Sequence, residues 1–484
     1  MKTKFKINFR LLSLIICVSL VCSFRPEAYA QNLELYAGVA QVDITPVQTG
    51  YPHYRGPSTG VHDPLYAKAV VLSQGNQRIA IVVCDLLWIE RELSSRVRLL
   101  AAERTGISPS NIVIAATHTH TSPAYHANIR ELTGLLRPPF DEDEDLEKDE
   151  YAALLIQKIT KAIEDANNSS TRVVIERATG LVDDLPYNRR YVMLNGKVQT
   201  NPGMGNPGIV RPSGPVDPEM EIVLFRRASD HAPLGALTNF SLHADTFGGT
   251  AFSADYPGFL ARTLVDKFGR NFVSIFAAGP CGDINHVDAI GKKRPSSEEI
   301  GVKLGKVVLH QMRNLKPLER ISVSGLTEYV YAPCQEFSAE ELVWAHSEEG
   351  APMYNDTKFL ERRRRLKIRS LERLRRTEAV PPTTSGLQWK LPLEVQVFQI
   401  SRDLAIVGLP GEVFVELGLA IKARSPFKTT LVIELTNSHI AYVPTREAFS
   451  QGGYETINSR LAPGGGEMMV ESAVRLLNEL YSEE

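Results

Sequence analysis

Two histidines separated by one threonine follow a short apolar run, in the stretch Asn111–Pro123 (NIVIAATHTHTSP). The β-branched and small apolar residues before them are typical of a buried strand, and the Ser-Pro pair after them is typical of a turn. Because residues i and i+2 of a strand point the same way, we expect His118 and His120 to converge at the carboxyl end of this strand. Neutral imidazole is the commonest metal ligand, and a second imidazole can carry protons. The pair therefore predicts a metal or proton-transfer site, with two surface histidines on a loop as the simpler alternative.

The same arrangement occurs a second time further along the chain. The apolar run Gly235–Leu242 ends at His243, and turn residues that include Gly248 and Gly249 follow it. A single histidine of this kind is more often a satisfied core residue than a ligand. The repetition favours a site that His243 shares with the first two histidines.

A carboxylate and a phenol in the last quarter of the chain are further candidates. Glu412 follows an apolar strand-like run and a Pro-Gly turn, and it precedes the apolar helical run Val413–Ile421. This pattern places Glu412 at a helix N-terminus, where an ordinary helix-start glutamate is the alternative. Tyr442 alternates with Ile440 and Pro444, so its phenol either faces a site or fills the core.

A glycine-punctuated turn lies between these candidates, over 277–286 (AAGPCGDINH). It comes after a predicted strand and is suited to presenting backbone N–H groups to an anion or oxyanion.

The elements that must position these residues alternate between strands and helices. Ile79–Cys84 is nearly continuously apolar, which indicates a strand covered on both faces. A helical pattern over Glu90–Thr105 and the strand before His118 follow, and this order is typical of a parallel βαβ unit. We predict a mixed α/β (α+β) fold, with βαβ units in one large domain and the metal site at strand ends. Further helices are predicted over Tyr151–Ala166, Tyr256–Phe268, Ser297–Arg313 and Lys358–Ala379.

Two charged stretches each leave two interpretations open. The basic helix Lys358–Ala379 is interpreted as a solvated face whose Lys and Arg stems cover apolar surface, with binding to a membrane surface as the alternative. The acidic run Asp141–Asp145 suits the start of the following helix, with calcium binding as the alternative.

Composition excludes some functional classes. The chain has 484 residues and a formal net charge of −2, so nothing indicates nucleic-acid binding. The basic, then apolar, then small-residue pattern of residues 1–30 predicts a signal peptide cleaved near Ala30, which leaves 31–484 as one exported domain, periplasmic or extracellular. Lipoprotein processing at Cys22 is the alternative, and the bulky Val21 before it disfavours that alternative. Three cysteines follow the signal peptide, so the sequence allows one disulfide.

Seven short motifs occur along the chain in the same order as in one known family. They are Gly38–Thr45, Gly60–Ala69, Thr117–Pro123, Asn239–His243, Gly282–Asn285, Leu409–Glu412 and Ala441–Thr445. Over 37–480 the chain resembles the catalytic domain of neutral ceramidases, secreted zinc amidases that hydrolyse the N-acyl bond of ceramide. The C-terminal immunoglobulin-like domain of that family is not expected here.

The resemblance implies a role for individual residues. It implies that one zinc ion per chain is held by the four ligands His118, His243, Glu412 and Tyr442. It also implies that His120 handles protons beside the metal and that Arg189, in Tyr187–Arg189, is an active-site arginine.

One departure from the family motif concerns the chemistry. Asn285 stands where the family has a serine that contributes to ceramide hydrolysis, and asparagine is no nucleophile, although its amide can donate to an oxyanion. A zinc hydrolase acting on a small-molecule or lipid substrate is therefore predicted. The alternatives are an esterase or deacylase for a non-lipid, for example carbohydrate-linked, acyl substrate, and a zinc-bearing binding protein without catalysis. The sequence allows peripheral contact with a membrane and does not specify an oligomeric state.

Overall fold

The computed structural model describes residues 34–47, 50–53, 55–126, 129–130, 149–347, 359–382 and 388–482. The predicted signal peptide and the acidic run 141–145 lie outside these residues. Within them, no helix combines the length and the apolar character that crossing a membrane requires.

The described strands and helices follow one another along the whole chain. The strands are β1 Leu35–Asp43, β2 Pro52–His53, β3 Gly56–Pro57, β4 Gly60–Val61, β5 Tyr66–Gln74, β6 Gln77–Cys84, β7 Ile112–Ala116, β8 Thr171–Leu181, β9 Tyr187–Asn188, β10 Arg190–Met193, β11 Val198–Thr200, β12 Ile209–Pro212, β13 Glu219–Arg227, β14 Pro233–Phe240, β15 Ala251–Phe252, β16 Val273–Ala278, β17 Ile284–Asn285, β18 Lys316–Pro317, β19 Ile321–Pro333, β20 Lys390–Ser401, β21 Leu404–Gly408, β22 Glu412–Val413, β23 Thr429–Ile433 and β24 Tyr442–Val443. The helices are α1 Arg91–Thr105, α2 Glu150–Asn168, α3 Asp255–Phe268, α4 Ser297–Gln311, α5 Ala339–His346, α6 Phe359–Thr377, α7 Val415–Arg424, α8 Arg446–Gln451, α9 Tyr454–Asn458 and α10 Gly465–Ser482.

A nine-stranded sheet forms the larger half of the fold. Its strand order is β16-β14-β13-β8-β1-β5-β6-β7, with β18 added beside β8. The inner pairs are antiparallel, whereas the pairs at the two ends, β6–β7 and β14–β16, are parallel. The predicted parallel βαβ unit, β6-α1-β7, is confirmed.

A second sheet of four strands packs against the first one. Its order is β19-β20-β21-β23, and β21–β23 is a parallel pair. The packing of strand β6 explains why its sequence is continuously apolar. Ile81 packs with Phe398 and Ile406 of the second sheet. The next residue, Val82, packs with helices α1 and α2. Successive side chains of a strand point to opposite faces, so both faces of β6 are buried.

Helices cover the outer face of each sheet. Helices α1 and α2 pack on one half of the large sheet, α3 and α4 on the other half, and α7 and α10 on the small sheet. The described residues therefore form four layers in the order helix, sheet, sheet, helix.

The large sheet curls, so that its two ends approach each other. Strands β7 and β16 are at opposite ends of the strand order and yet contact each other. The connection 434–441 between β23 and β24 lies at both ends: the Glu434 N–H donates to the Ala278 carbonyl at 3.0 Å, and the Asn437 N–H donates to the Ile114 carbonyl at 2.8 Å. Leu435, Asn437 and Ala441 in or at this connection have φ angles of 56–59°. The left-handed backbone turns the chain sharply between the two edges.

Two local predictions were wrong, and both concern how the chain leaves a strand. Strand β7 ends at Ala116, and His118 has a φ of 67°, so His118 and His120 lie in a turn and do not converge by strand alternation. Glu412 does not begin the helix that follows it. It lies in β22, paired in parallel with Tyr442, and α7 begins only at Val415.

The basic helix α6 packs into the fold. Leu366, Ile368 and Leu371 are buried, and the Arg365 guanidinium lies 4.2 Å from the centre of the Trp344 ring. Arg363 is likewise buried and lies over Phe359. These contacts agree with the interpretation in which arginine stems cover apolar surface.

Asn437 provides a test of the connection 434–441. Its side chain accepts a hydrogen bond from the Ile114 N–H at 3.0 Å, and the residue is buried with a φ of 58°. We expect Asn437→Ala to lower the free energy of unfolding by about 2–4 kcal/mol, measured by urea titration, because it leaves a buried donor unpaired and strains the backbone.

Asn201 is the matched control, because it is exposed and also has a positive φ of 49°. We expect Asn201→Ala to cost about 1–2 kcal/mol, mainly the backbone effect, because the hydrogen bond that its side chain accepts from Asn285 is exposed to water. Equal losses in the two variants would show that the buried hydrogen bond contributes nothing.

Candidate metal centre

The predicted metal ligands and His120 lie in segments that follow the carboxyl ends of parallel strands. His118 and His120 come after β7, His243 after β14, Glu412 after β21 and Tyr442 after β23. Ligand sites in sheets covered by helices form at such ends. Because the large sheet curls, residues from opposite ends of its strand order reach the same point as residues from the small sheet.

Three imidazoles form the centre of the site. His118 Nε2 lies 3.0 Å from His243 Nε2 and 3.4 Å from His120 Nε2. One nitrogen from each ring lies within 4.8 Å of the others, an arrangement that could hold a metal ion. The three histidines that the sequence assigned to one shared site thus lie together in the structure.

The outer nitrogens of two imidazoles are held by backbone carbonyls. His118 Nδ1 donates to the Leu87 carbonyl at 2.7 Å, and His243 Nδ1 donates to the Cys281 carbonyl at 3.0 Å. A proton on Nδ1 leaves the lone pair on Nε2, and two such lone pairs face each other at 3.0 Å. A shared cation would turn this repulsive contact into a stabilising one.

The Glu412 carboxylate completes the cluster. Its Oε2 is buried, makes no hydrogen bond within the described part of the chain, and lies 3.4 Å from His118 Nε2 and 3.8 Å from His243 Nε2. Two imidazole nitrogens and a carboxylate oxygen are ligand types that zinc prefers. The residues present therefore fit a metal ion at this point.

The pKa values of the cluster reflect burial and mutual charge. Burial, followed by the neighbouring His118, lowers the pKa of both His120 and His243 well below the usual value. Burial also lowers the pKa of His118, but the Glu412 carboxylate outweighs that effect and the net pKa is raised. The charges of the cluster thus favour a positive charge between His118 and Glu412, and a bound metal ion would supply it.

His120 differs from the other two histidines in its access to solvent. Its side chain is 14% exposed, against 2% for His118 and 3% for His243. Its Nδ1 lies 3.8 Å from Asp245 Oδ1, and that oxygen accepts a hydrogen bond from Arg55 at 2.6 Å. This position, beside the cluster and open to water, suits an acceptor of protons.

Arg189 lies at the edge of the cluster and is fixed on three sides. Its Nε donates to Glu455 at 2.9 Å, its Nη2 donates to the Gly282 carbonyl at 2.7 Å, and its Nη1 lies 3.5 Å from His243 Nε2. Its guanidinium lies 5.4 Å from the centre of the Tyr442 ring. The structure therefore brings Arg189 and Tyr442 together with the predicted ligands.

Asn285 is placed outside this cluster. It lies in β17, paired with Tyr187 of β9, and its Nδ2 donates to Asn201 Oδ1 at 2.9 Å. The preceding turn uses its backbone donors internally: the Gly282 N–H donates to Val413 and the Ile284 N–H donates to Cys281. Both of these N–H groups of the predicted anion-binding turn are engaged within the fold.

Two buried carboxylates that support the site were missed by the sequence prediction. Glu434 accepts hydrogen bonds from the Cys281 N–H at 3.1 Å and the Val413 N–H at 2.7 Å, and burial raises its pKa to about 8. Glu455 binds both Arg189 and Arg190. Glu434 directly follows an apolar strand, which is a usable signal, whereas nothing in the sequence around Glu455 distinguishes it from a surface glutamate.

The fold and site define a helix-sheet-sheet-helix protein with a candidate metal centre, and comparisons with known proteins place it in a family. The model for neutral/alkaline non-lysosomal ceramidase, N-terminal, matches residues 36–289. The chain belongs to this family.

Individual relatives agree with the family match. The neutral ceramidase of Pseudomonas aeruginosa is 24% identical over 289 residues, which is 56% of this chain and 40% of the relative, so the matched segment is less than half of that protein. The crystal structure of neutral ceramidase from Pseudomonas aeruginosa shares the fold, with a TM-score of 0.70 and 19% identity over 93% of this chain and 75% of that one. A ceramidase complexed with C2 gives a TM-score of 0.69 at 18% identity, over 93% of this chain and 76% of that one.

Glu455 provides a test of how Arg189 is held. We expect Glu455→Gln to lower the free energy of unfolding by about 3–5 kcal/mol, because two buried guanidinium groups lose their counter-charge. Urea titration of the purified chain measures the loss.

The Arg226–Glu176 pair is the matched control, since it is also an Arg–Glu pair, at 2.6 Å, but is about one-fifth exposed on each side. Glu176→Gln is expected to cost less than about 1 kcal/mol. A loss of that small size for Glu455→Gln would contradict the role given to Glu455.

Proposed function

We propose that this chain is a zinc-dependent hydrolase that cleaves the N-acyl bond of ceramide or of a related acylated substrate. The observation that carries the proposal is the convergence of His118 Nε2, His243 Nε2 and the unpartnered Glu412 Oε2 in a member of this family. The names of the relatives support ceramide as the substrate class.

Four residues would hold the ion: His118, His243, Glu412 and Tyr442. The parallel pairing of β22 and β24 sets Tyr442 beside Glu412, and burial followed by the Glu412 charge raises the pKa of the phenol well above its usual value. Tyr442 is therefore a neutral and weaker donor than the other three. A zinc ion held there would supply Lewis acidity, which lowers the pKa of a bound water to about 7 and polarises an acyl carbonyl.

His120 carries the protons in the proposed reaction. It is the most exposed of the three imidazoles and lies beside the cluster. It accepts a proton from the attacking water and returns it to the leaving amine nitrogen as the C–N bond breaks. Asp245, 3.8 Å from its Nδ1, favours the charged imidazolium between these two steps.

Arg189 stabilises the charge that develops on the acyl oxygen. Its guanidinium is fixed by Glu455 and the Gly282 carbonyl, so it needs no reorganisation when the charge appears. The reaction proposed here needs no serine nucleophile, which accommodates Asn285.

The position of Asn285 favours a second candidate substrate class. The exposed Asn285–Asn201 amide pair presents polar groups where the resemblance implies a serine. An acyl ester or amide whose alcohol or amine part is polar, for example a carbohydrate, would find hydrogen-bond partners at this pair. Export to the periplasm or the extracellular space belongs to the same proposal.

Histidine variants separate metal binding from proton transfer. We expect one zinc per chain by mass spectrometry of the purified protein, near-complete loss of zinc and of hydrolysis in His118→Ala, and retained zinc with about 10²–10⁴-fold lower turnover in His120→Ala. Substrates are a fluorescent ceramide and a panel of N-acyl and O-acyl compounds.

His310→Ala, an exposed histidine on α4, is the control and should change neither quantity. Chelation should abolish hydrolysis and zinc addition should restore it. Full hydrolysis by either site variant would exclude the assignment, while zinc without hydrolysis of any substrate would indicate a binding protein.

A further inference from the structure

A small lobe extends from the segment that carries Arg189. We define the docking lobe as residues 187–215 and 286–296. It contains the three-stranded sheet β11-β10-β12 and has its own small core of Tyr191, Met193 and Ala289. The lobe is thus a packed unit that presents its outer side chains in fixed positions.

The docking lobe exposes large apolar side chains. Leu194 is 77% exposed, Met204 51%, Val210 53% and Ile290 55%. Backbone hydrogen bonds hold the segments that carry these side chains together. The Leu194 N–H donates to the Gly208 carbonyl, and the Gly205 N–H donates to the Ala289 carbonyl. Single exposed apolar residues are ordinary on a protein surface, but a group of them rimmed by polar residues marks an interaction site.

The same lobe is strongly cationic. Its exposed charged residues are all basic, namely Lys197, Arg211, Lys292, Lys293 and Arg294, and its one acidic residue, Asp288, is half-buried. The carboxylate of Asp288 accepts hydrogen bonds from the N–H groups of Ile290 and Gly291. The whole chain has a net charge of −2, so the lobe is more positive than the chain as a whole.

The lobe is directly connected to the candidate metal centre. Arg189 lies within it, the Asn201 N–H donates to the Arg189 carbonyl at 2.8 Å, and Asn285, at its border, donates to Asn201. A surface that docks through this lobe therefore lies next to the side of the site formed by Arg189.

We propose that the docking lobe binds the surface of an anionic lipid bilayer. Leu194, Met204, Val210 and Ile290 enter the interface, and the five basic side chains contact lipid phosphates. The charge of the lobe selects this partner, because apolar side chains among lysines and arginines match an acyl region beneath a negative surface. The binding does not depend on the proposed function; if the substrate is ceramide, docking brings the site to the membrane that contains it.

Vesicle co-sedimentation of the full chain tests the proposal. The probes are phosphatidylcholine vesicles with and without phosphatidylglycerol, both free of ceramide, so that binding is measured apart from hydrolysis. We expect binding only to the anionic vesicles and release at 1 M salt, where the Debye length is about 3 Å. Lys292→Ala/Lys293→Ala should weaken binding about 25-fold, roughly five-fold per charge, and Leu194→Ser/Ile290→Ser at least about ten-fold.

Matched variants outside the lobe are the controls. Leu181 and Val343 are each 73% exposed, and Lys267 and Arg270 are exposed basic residues. Leu181→Ser/Val343→Ser and Lys267→Ala/Arg270→Ala should bind vesicles as the unmodified chain does. All variants should keep their metal content and their hydrolysis of short soluble substrates.

Three results would overturn the proposal. The first is equal binding to neutral and anionic vesicles, and the second is unchanged binding in both lobe variants. The third is self-association by light scattering that the lobe variants abolish while vesicles are not bound, which would assign the lobe to a second copy of the chain.

Discussion

The structure depends on one connection that holds two ends of a curled sheet together. Residues 434–441 hydrogen-bond to β16 through Glu434 and to β7 through Asn437. His118 and His243 follow strands near opposite ends of the strand order. The connection holds these two ends together, so that the two histidines can meet. The backbone conformation that makes it possible is unfavourable at three non-glycine residues. The packing of two sheets and the buried hydrogen bonds of the connection stabilise that conformation.

The backbone sets the geometry of the site more than contacts among the site's own side chains do. His118 and His243 are each oriented by a backbone carbonyl, and Glu412 is set by the parallel pairing of β22 with β24. The carboxylate of Glu434 accepts hydrogen bonds from the Cys281 N–H and the Val413 N–H, so it links the two backbone segments that carry the halves of the cluster. Such support around the candidate ligands fixes the direction of their lone pairs.

The sequence was informative where one face or one motif decides the structure. Alternation between two cores made Ile79–Cys84 recognisable, and the His-x-His motif indicated a shared site. The four-layer packing and the curl were not predictable, because they depend on contacts between strands that are far apart in the chain. The turn at His118 was missed because a non-glycine left-handed residue has no local signal. Glu455 was missed for a related reason: a carboxylate is identified as buried only when its arginine partners are known.

The spread of the candidate metal ligands along the chain has a consequence for how the site is assembled. Within the segment that the family model matches, 36–289, lie His118 and His243, whereas Glu412 and Tyr442 come more than a hundred residues later. Under the proposed function, the segment that the family model matches therefore carries only two of the four ligands. A complete metal site would form only after both sheets have closed, so retention of the ion would depend on the segment around residues 412–442 as much as on the histidines.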